Sequence, residues 1–211
     1  MHAPHTPCPV CGGRSFLEAE HPEAFLHRCP ACTHCFSILK PSVGHEPYDD
    51  RYYDDDHRRW FEHPNLELFR RIEEGTLHGR EDLSVLDVGC GRGDFLRYLR
   101  ERHPRLTLTG IELSDPPPAG GIRYLKGDVL TTPIDGAFDV IVSLAVIEHI
   151  PDVQAFAHRL VELCRPGGVI CAMTVNEASL LYDLAKGSRR VGLPLAFNRL
   201  YMRHHLQPFT M

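Results

Sequence analysis

The 211-residue sequence predicts an α/β fold, a doubly wound and mainly parallel sheet preceded by a small module that a metal would hold together. Three observations carry this expectation. From Leu83 onward, short apolar runs alternate with helically periodic stretches; the first run ends in the glycine turn Asp87-Val88-Gly89-Cys90-Gly91-Arg92-Gly93; and two Cys-x-x-Cys pairs crowd the first 32 residues. Parallel strands need long crossovers, and the alternation supplies them.

Composition divides the chain into three stretches. Residues 1–40 are rich in Cys, Pro and Gly, 41–82 are polar, acidic and aromatic, and 83–211 carry the alternation. The expected domains are therefore an N-terminal ribbon-like module, a linker with a helical cap, and the α/β domain.

In the first stretch, Cys8-Pro9-Val10-Cys11 and Cys29-Pro30-Ala31-Cys32 stand 17 residues apart, a spacing suited to a four-thiolate zinc site. A module of about 40 residues cannot bury enough core to fold alone, and a closed tetrahedral metal site offsets that deficit. The expected zinc is structural, because four thiolates leave no open position. His34 and Cys35 lie near enough in sequence to be alternative fourth ligands.

In the second stretch, Tyr52, Tyr53 and Trp60 accompany an acidic run that precedes Leu66, Phe69 and Ile72. The aromatics either pack a helix against the sheet or line a lid.

In the third stretch, Ser84–Val88 reads as the first strand and Asp94–Arg100 as the helix after the glycine turn. Leu106–Ile111, Arg123–Leu125, Phe138–Ser143 and Val169–Val175 read as four further strands. Val153, Phe156, Ala157, Leu160, Val161 and Cys164 recur at helical spacing between the last two.

The glycine turn carries the chemistry. Glycines at 89, 91 and 93 let backbone approach a ligand closely, and the helix that follows presents N–H groups lacking intrahelical partners. The second strand ends in Gly110-Ile111-Glu112, which puts a carboxylate where it can accept from both hydroxyls of a ribose. The third ends in Gly127-Asp128-Val129. Asp128 is placed either to accept from an adenine amino group or to cap the turn that follows. The dinucleotide pattern needs a small residue where this chain has Asp94, which favours adenosine over a pyrophosphate-bridged dinucleotide.

Val85-Leu86-Asp87-Val88-Gly89-Cys90-Gly91-Arg92-Gly93 resembles the first motif of class I S-adenosylmethionine-dependent methyltransferases, and Glu112 and Asp128 match that family's ribose and adenine acids. Phe138–Ser143 with Val146-Ile147-Glu148-His149-Ile150 is similar to its fourth-strand motif, and Leu163-Cys164-Arg165-Pro166-Gly167-Gly168 to the turn before its fifth strand. The resemblance covers Leu83 to Val175. It implies a Rossmann-like domain, S-adenosylmethionine as cofactor, and a binding set of Asp87, Gly89, Cys90, Gly91, Glu112, Leu113, Asp128, Val129 and Ser143. Where the acceptor is a hydroxyl or a carbon acid a base must remove its proton, and the resemblance offers His149 for that catalytic role, with Glu148 supporting it or meeting the methionine end. The other reading of His149 is an exposed loop histidine or a helix-cap contact.

The formal net charge of -5 leaves no basic footprint for nucleic acid, and residues 1–47 hold three Lys or Arg against four Glu. Similar ribbons precede the methyltransferase domain in some sugar methyltransferases and in a ribosomal-RNA guanine methyltransferase group, so the resemblance implies a small-molecule or glycan acceptor, with RNA as the alternative. No apolar window approaches the ~20 residues of a membrane span, and the first residues lack a basic and apolar leader pattern. The expected compartment is the cytoplasm. Only 36 residues follow Val175, so the sheet is expected to lack the family's last one or two strands. That shortness leaves a non-catalytic cofactor-binding protein as the rival of the enzyme. The sequence indicates no oligomeric state.

Overall fold

The structure is a computed structural model that describes residues 6–43, 64–115, 120–201 and 205–210. Tyr52, Tyr53 and Trp60 lie outside the described residues. By contacts the chain divides into two compact units, each assembled from separated segments: one from Met1–Glu46, Ile147–Gln154 and Thr174–Met211, the other from Pro47–Val146 and Ala155–Met173.

The second unit holds the parallel sheet. Its strands are β4 (Ser84–Val88), β5 (Thr107–Glu112), β6 (Arg123–Lys126), β7 (Phe138–Leu144) and β8 (Cys164–Met173). They lie in the order β6-β5-β4-β7-β8, and every neighbouring pair is parallel. The chain thus runs outward from β4 to one edge, then restarts beside β4 with β7. Ligands of such sheets bind beyond the carboxyl ends of the strands where this reversal occurs.

Helix α1 (Leu66–Leu77) and helix α2 (Asp94–Arg102) cover one side of this sheet's core. The Asn65 side chain caps α1 by accepting from the Leu68 N–H at 3.0 Å. Phe69 meets Phe95 edge-on at 5.2 Å, and both join Val85, Leu96, Leu108, Val140 and Val142 in one apolar cluster. Glu73, itself buried, accepts from Tyr98 Oη at 2.5 Å and contacts His103 Nε2 at 2.7 Å, which ties α1 to α2.

Helix α3 (Val153–Leu163) precedes β8. Here the structure differs from the sequence reading. Cys164 already pairs with Phe138, and pairing shifts register before it resumes at Val140 and Val169. Arg165–Gly168 is therefore a bulge within the strand, where a turn is expected. Pro166 has no N–H to give a ladder, and a bulge on an edge strand tolerates that loss.

The first unit begins with an antiparallel sheet of β1 (Phe16–Glu20), β2 (Ala24–Arg28) and β3 (Cys35–Leu39). Helices α4 (Leu180–Arg190) and α5 (Leu195–Leu200) pack on it through a cluster of Leu26, Cys35, Tyr182, Ala185, Phe197 and Tyr201. Polar contacts reinforce the packing. Glu177, nearly buried, pairs with Arg28 at 2.7 Å and Lys186 at 3.0 Å, and accepts from Tyr201 Oη at 2.6 Å.

Candidate functional site

The carboxyl ends of β4, β5 and β7 carry most of the predicted cofactor residues of the second unit. Gly89 has φ +70 and Gly93 φ +75, and a Cβ on either would overlap a neighbour, Val146 Cγ2 for the first and the Tyr124 hydroxyl for the second. The turn therefore needs glycine both for its backbone and for its space.

The turn is held by the acid of the next strand. Gly91 donates its N–H to Glu112 Oε2 at 2.8 Å, and Leu113 donates to Oε1 at 2.7 Å. The N–H groups of Gly89 and Cys90 both go to the Ile111 carbonyl. Each Glu112 oxygen retains lone-pair capacity beyond its one backbone donor, enough to receive two hydroxyls. Sequence reasoning assigns Glu112 to a ligand and misses this bond, because nothing local marks two residues 21 positions apart as partners.

Asp87 lies one strand residue before the turn, 3% exposed. Among the described residues no donor reaches its carboxylate. Burial first, and then the neighbouring Glu112 charge, push its pKa up to about 8. On the adjacent strand, Ser143 is also buried, and its Oγ has no hydrogen-bond partner among the described residues. Val88 pairs with Ser143 and Asp87 with Val142, so the two groups stand at the same end of neighbouring strands but on opposite faces of the sheet. A buried carboxyl that no donor reaches among the described residues, at the strand ends where the sheet reverses, fits a ligand bearing a cationic donor. Cys90 is buried, and burial raises its thiol well above the usual range, which leaves it a small neutral wall.

Asp128 is exposed at the end of β6, with its Oδ1 accepting from the Leu130 N–H at 2.9 Å and its carbonyl from Thr131 and Thr132. The turn-capping role weighed for it is thus present, and Oδ2 stays available for a second partner. Val129 beside it is buried, whereas Leu113 is 48% exposed.

In the first unit, the sulfurs of Cys8, Cys11, Cys29 and Cys32 all lie within 4.8 Å of one another. Cys8 and Cys32 are 3.6 Å apart and Cys11 and Cys29 3.5 Å. Bonds of about 2.3 Å to a tetrahedral zinc place sulfurs about 3.8 Å apart, so the cluster fits that ion with little adjustment. Backbone N–H groups of Cys32 and Ala31 face the Cys29 sulfur and draw its pKa down to about 7, a setting for a thiolate. His34 and Cys35 are not in the cluster. His34 Nε2 contacts Gln207 Oε1 at 2.8 Å, and Cys35 is fully buried in the packing against α4 and α5, so neither is a fourth ligand.

His149 ends a 3₁₀ turn, Ile147–His149, and its ring lies 5.4 Å from that of His205. Glu148 is buried and spent on structure: its Oε2 accepts from Thr174 Oγ1 at 2.8 Å, and its carbonyl accepts from the N–H groups of Leu206 and Gln207. His205, whose Nδ1 is 3.2 Å from the Leu200 carbonyl, is the neighbour that sequence reasoning overlooks. It stands 56 residues from His149, in a tail without periodicity.

A parallel sheet with a central reversal, a glycine turn after its first strand and an acid ending its second defines a nucleoside-cofactor-binding class of protein. Within that class, the chain belongs to the methyltransferase-domain family, which it matches over residues 53–210. It is 32% identical over 127 residues to a ubiquinone biosynthesis O-methyltransferase of Paramagnetospirillum magneticum, an alignment covering 54% of this chain and 49% of the relative. The chain spans about half the length of the curated relatives it matches.

Two solved structures share the fold. The 1,6-didemethyltoxoflavin-N1-methyltransferase of Burkholderia thailandensis, with bound 1,6-didemethyltoxoflavin and S-adenosylhomocysteine, is 19% identical at a TM-score of 0.52, covering 78% of this chain and 86% of its own. The plantazolicin methyltransferase BpumL, with a substrate analogue and S-adenosylhomocysteine, is 18% identical at 0.54, covering 74% and 65%. No helix among the described residues is long and apolar enough to cross a membrane.

Proposed function

We propose that this protein transfers a methyl group from S-adenosylmethionine to a small-molecule or glycan acceptor. The observation that carries this reading is the buried Asp87 carboxylate, lacking a donor, beside a Glu112 carboxylate already anchored by the glycine turn. One acid answers an ammonium and the other a ribose, and the cofactor carries both groups. Cys90, Leu113 and Val129 line the same strand ends as apolar neighbours, Ser143 offers its hydroxyl, and Asp128 retains Oδ2 for the adenine amino group.

When bound, the cofactor would supply an electrophilic methyl group, the acceptor's nucleophile forming its bond to that carbon in line as the carbon–sulfur bond breaks and S-adenosylhomocysteine leaves. The chain's part is to hold the donor in one orientation in a site poor in water, since alignment supplies much of the acceleration. His149 takes the acceptor proton, and the adjoining imidazole of His205 fixes the ring's surroundings. Zinc at the four cysteines is structural, and its role is to stabilise the small sheet of the first unit.

Incubation with methyl-labelled S-adenosylmethionine and a panel of phenols, amines, sugar nucleotides and RNA tests this reading. Label is expected in a small-molecule product and reduced at least about tenfold by His149→Gln. Label in RNA would overturn the acceptor class, and tight cofactor binding without transfer to any acceptor would favour the non-catalytic rival.

A further inference from the structure

Helix α4 is turned inside out for a surface helix. Its buried residues are Tyr182 and Ala185, whereas Leu180, Leu181 and Leu184 are 72%, 59% and 63% exposed. At 100° per residue, Leu180, Leu184 and Val191 fall on the side opposite Tyr182 and Ala185. The stripe continues past the helix through Val191, Leu193 and Leu195, which are 75%, 65% and 84% exposed. Soluble surfaces scatter such residues singly; six exposed leucines and valines within 16 positions mark an interaction face.

The same segment is basic in an acidic chain. Leu180 to Leu200 holds Lys186, Arg189, Arg190 and Arg199 against Asp183, while the whole chain carries a formal charge of -5. Lys186 is engaged by Glu177 and Asp183, and Arg189 donates to the Glu20 carbonyl and covers the Phe197 ring. Arg190 and Arg199 are exposed and form no hydrogen bond or ion pair among the described residues.

We infer that α4, the connection at Val191–Pro194 and the start of α5 form a docking face for an anionic lipid surface. The leucines would enter the boundary between headgroups and acyl chains, and Arg190 and Arg199 would meet the phosphates, as in helices that lie in the plane of a membrane. A second copy of the chain suits the face less well. A two-fold contact presents a patch to itself, which would set these arginines against their own counterparts with Asp183, already paired with Lys186, as the segment's one acid to answer them.

Flotation with vesicles of phosphatidylcholine, with and without phosphatidylglycerol, tests the inference. Binding is expected only to the anionic vesicles. It should fall about fivefold for each of Arg190→Gln and Arg199→Gln, and at least about tenfold for the pair Leu184→Ser and Leu195→Ser. These side chains are exposed, so the variants should keep the parent's circular dichroism and melting temperature. Absence of binding by the folded parent, or binding indifferent to the leucine substitutions, would overturn the proposal. So would a dimer in sedimentation velocity that the leucine substitutions dissolve, because the face would then belong to a second copy.

Discussion

At the scale of single residues, the glycine turn and its two acids make separable demands. Gly89 and Gly136 both have positive φ, but a Cβ at Gly136 meets nothing within 4 Å whereas at Gly89 it overlaps Val146. Gly136→Ala should cost about 1–2 kcal/mol of backbone strain, and Gly89→Ala at least about 2 kcal/mol more, as read by urea unfolding. Asp87 has the opposite sign from most acids. Its folded pKa of about 8 exceeds the unfolded value of 3.8, so the folded chain keeps a proton that the unfolded chain releases between those limits. Stability contributed at this site is therefore lost as pH rises from about 4 to about 8. Asp87→Asn, which copies the protonated acid, should gain stability over the parent at about pH 8 and match it near pH 4. A gain that is equal at both pH values would remove this account of Asp87.

At the scale of elements, the first unit joins a small sheet to helices that lie far from it in sequence. Leu26 and Cys35 pack with Tyr182, Ala185, Phe197 and Tyr201, and Arg28 reaches Glu177 across 149 positions. If zinc holds the sheet, its removal should be felt in those helices. Metal analysis should return about one zinc per chain, and chelation should raise hydrogen exchange in Leu180–Leu200 as well as in β2 and β3. Exchange confined to residues 6–43 would show that the helices do not depend on the metal. This arrangement was hidden from sequence reading for a physical reason. Periodicity in Leu180–Arg190 reveals two faces but not which is buried, and here the tyrosine and alanine face inward while the leucines face out. The elements from Ser84 to Leu163 were legible because each strand's apolar run is bounded by local signals: glycine after β4, acid after β5 and β6, and helical spacing in α3.

At the scale of the whole molecule, the parallel sheet with its central reversal follows from the order of those runs, and the cysteine spacing foretells the cluster in which all four sulfurs lie within 4.8 Å. What the sequence leaves dark are the contacts between distant positions: Gly91 to Glu112, Glu148 to the tail at Leu206 and Gln207, and His149 beside His205. Each joins segments whose separation carries no periodic signature. The central claim is that the carboxyl ends of β4, β5 and β7 hold S-adenosylmethionine. Calorimetric titration with S-adenosylhomocysteine tests it most directly. One molecule per chain should bind, with Glu112→Ala weakening the affinity by about 1–3 kcal/mol while the exposed Leu184→Ser leaves it unchanged. Absence of binding by folded protein, or an affinity indifferent to Glu112, would contradict the account.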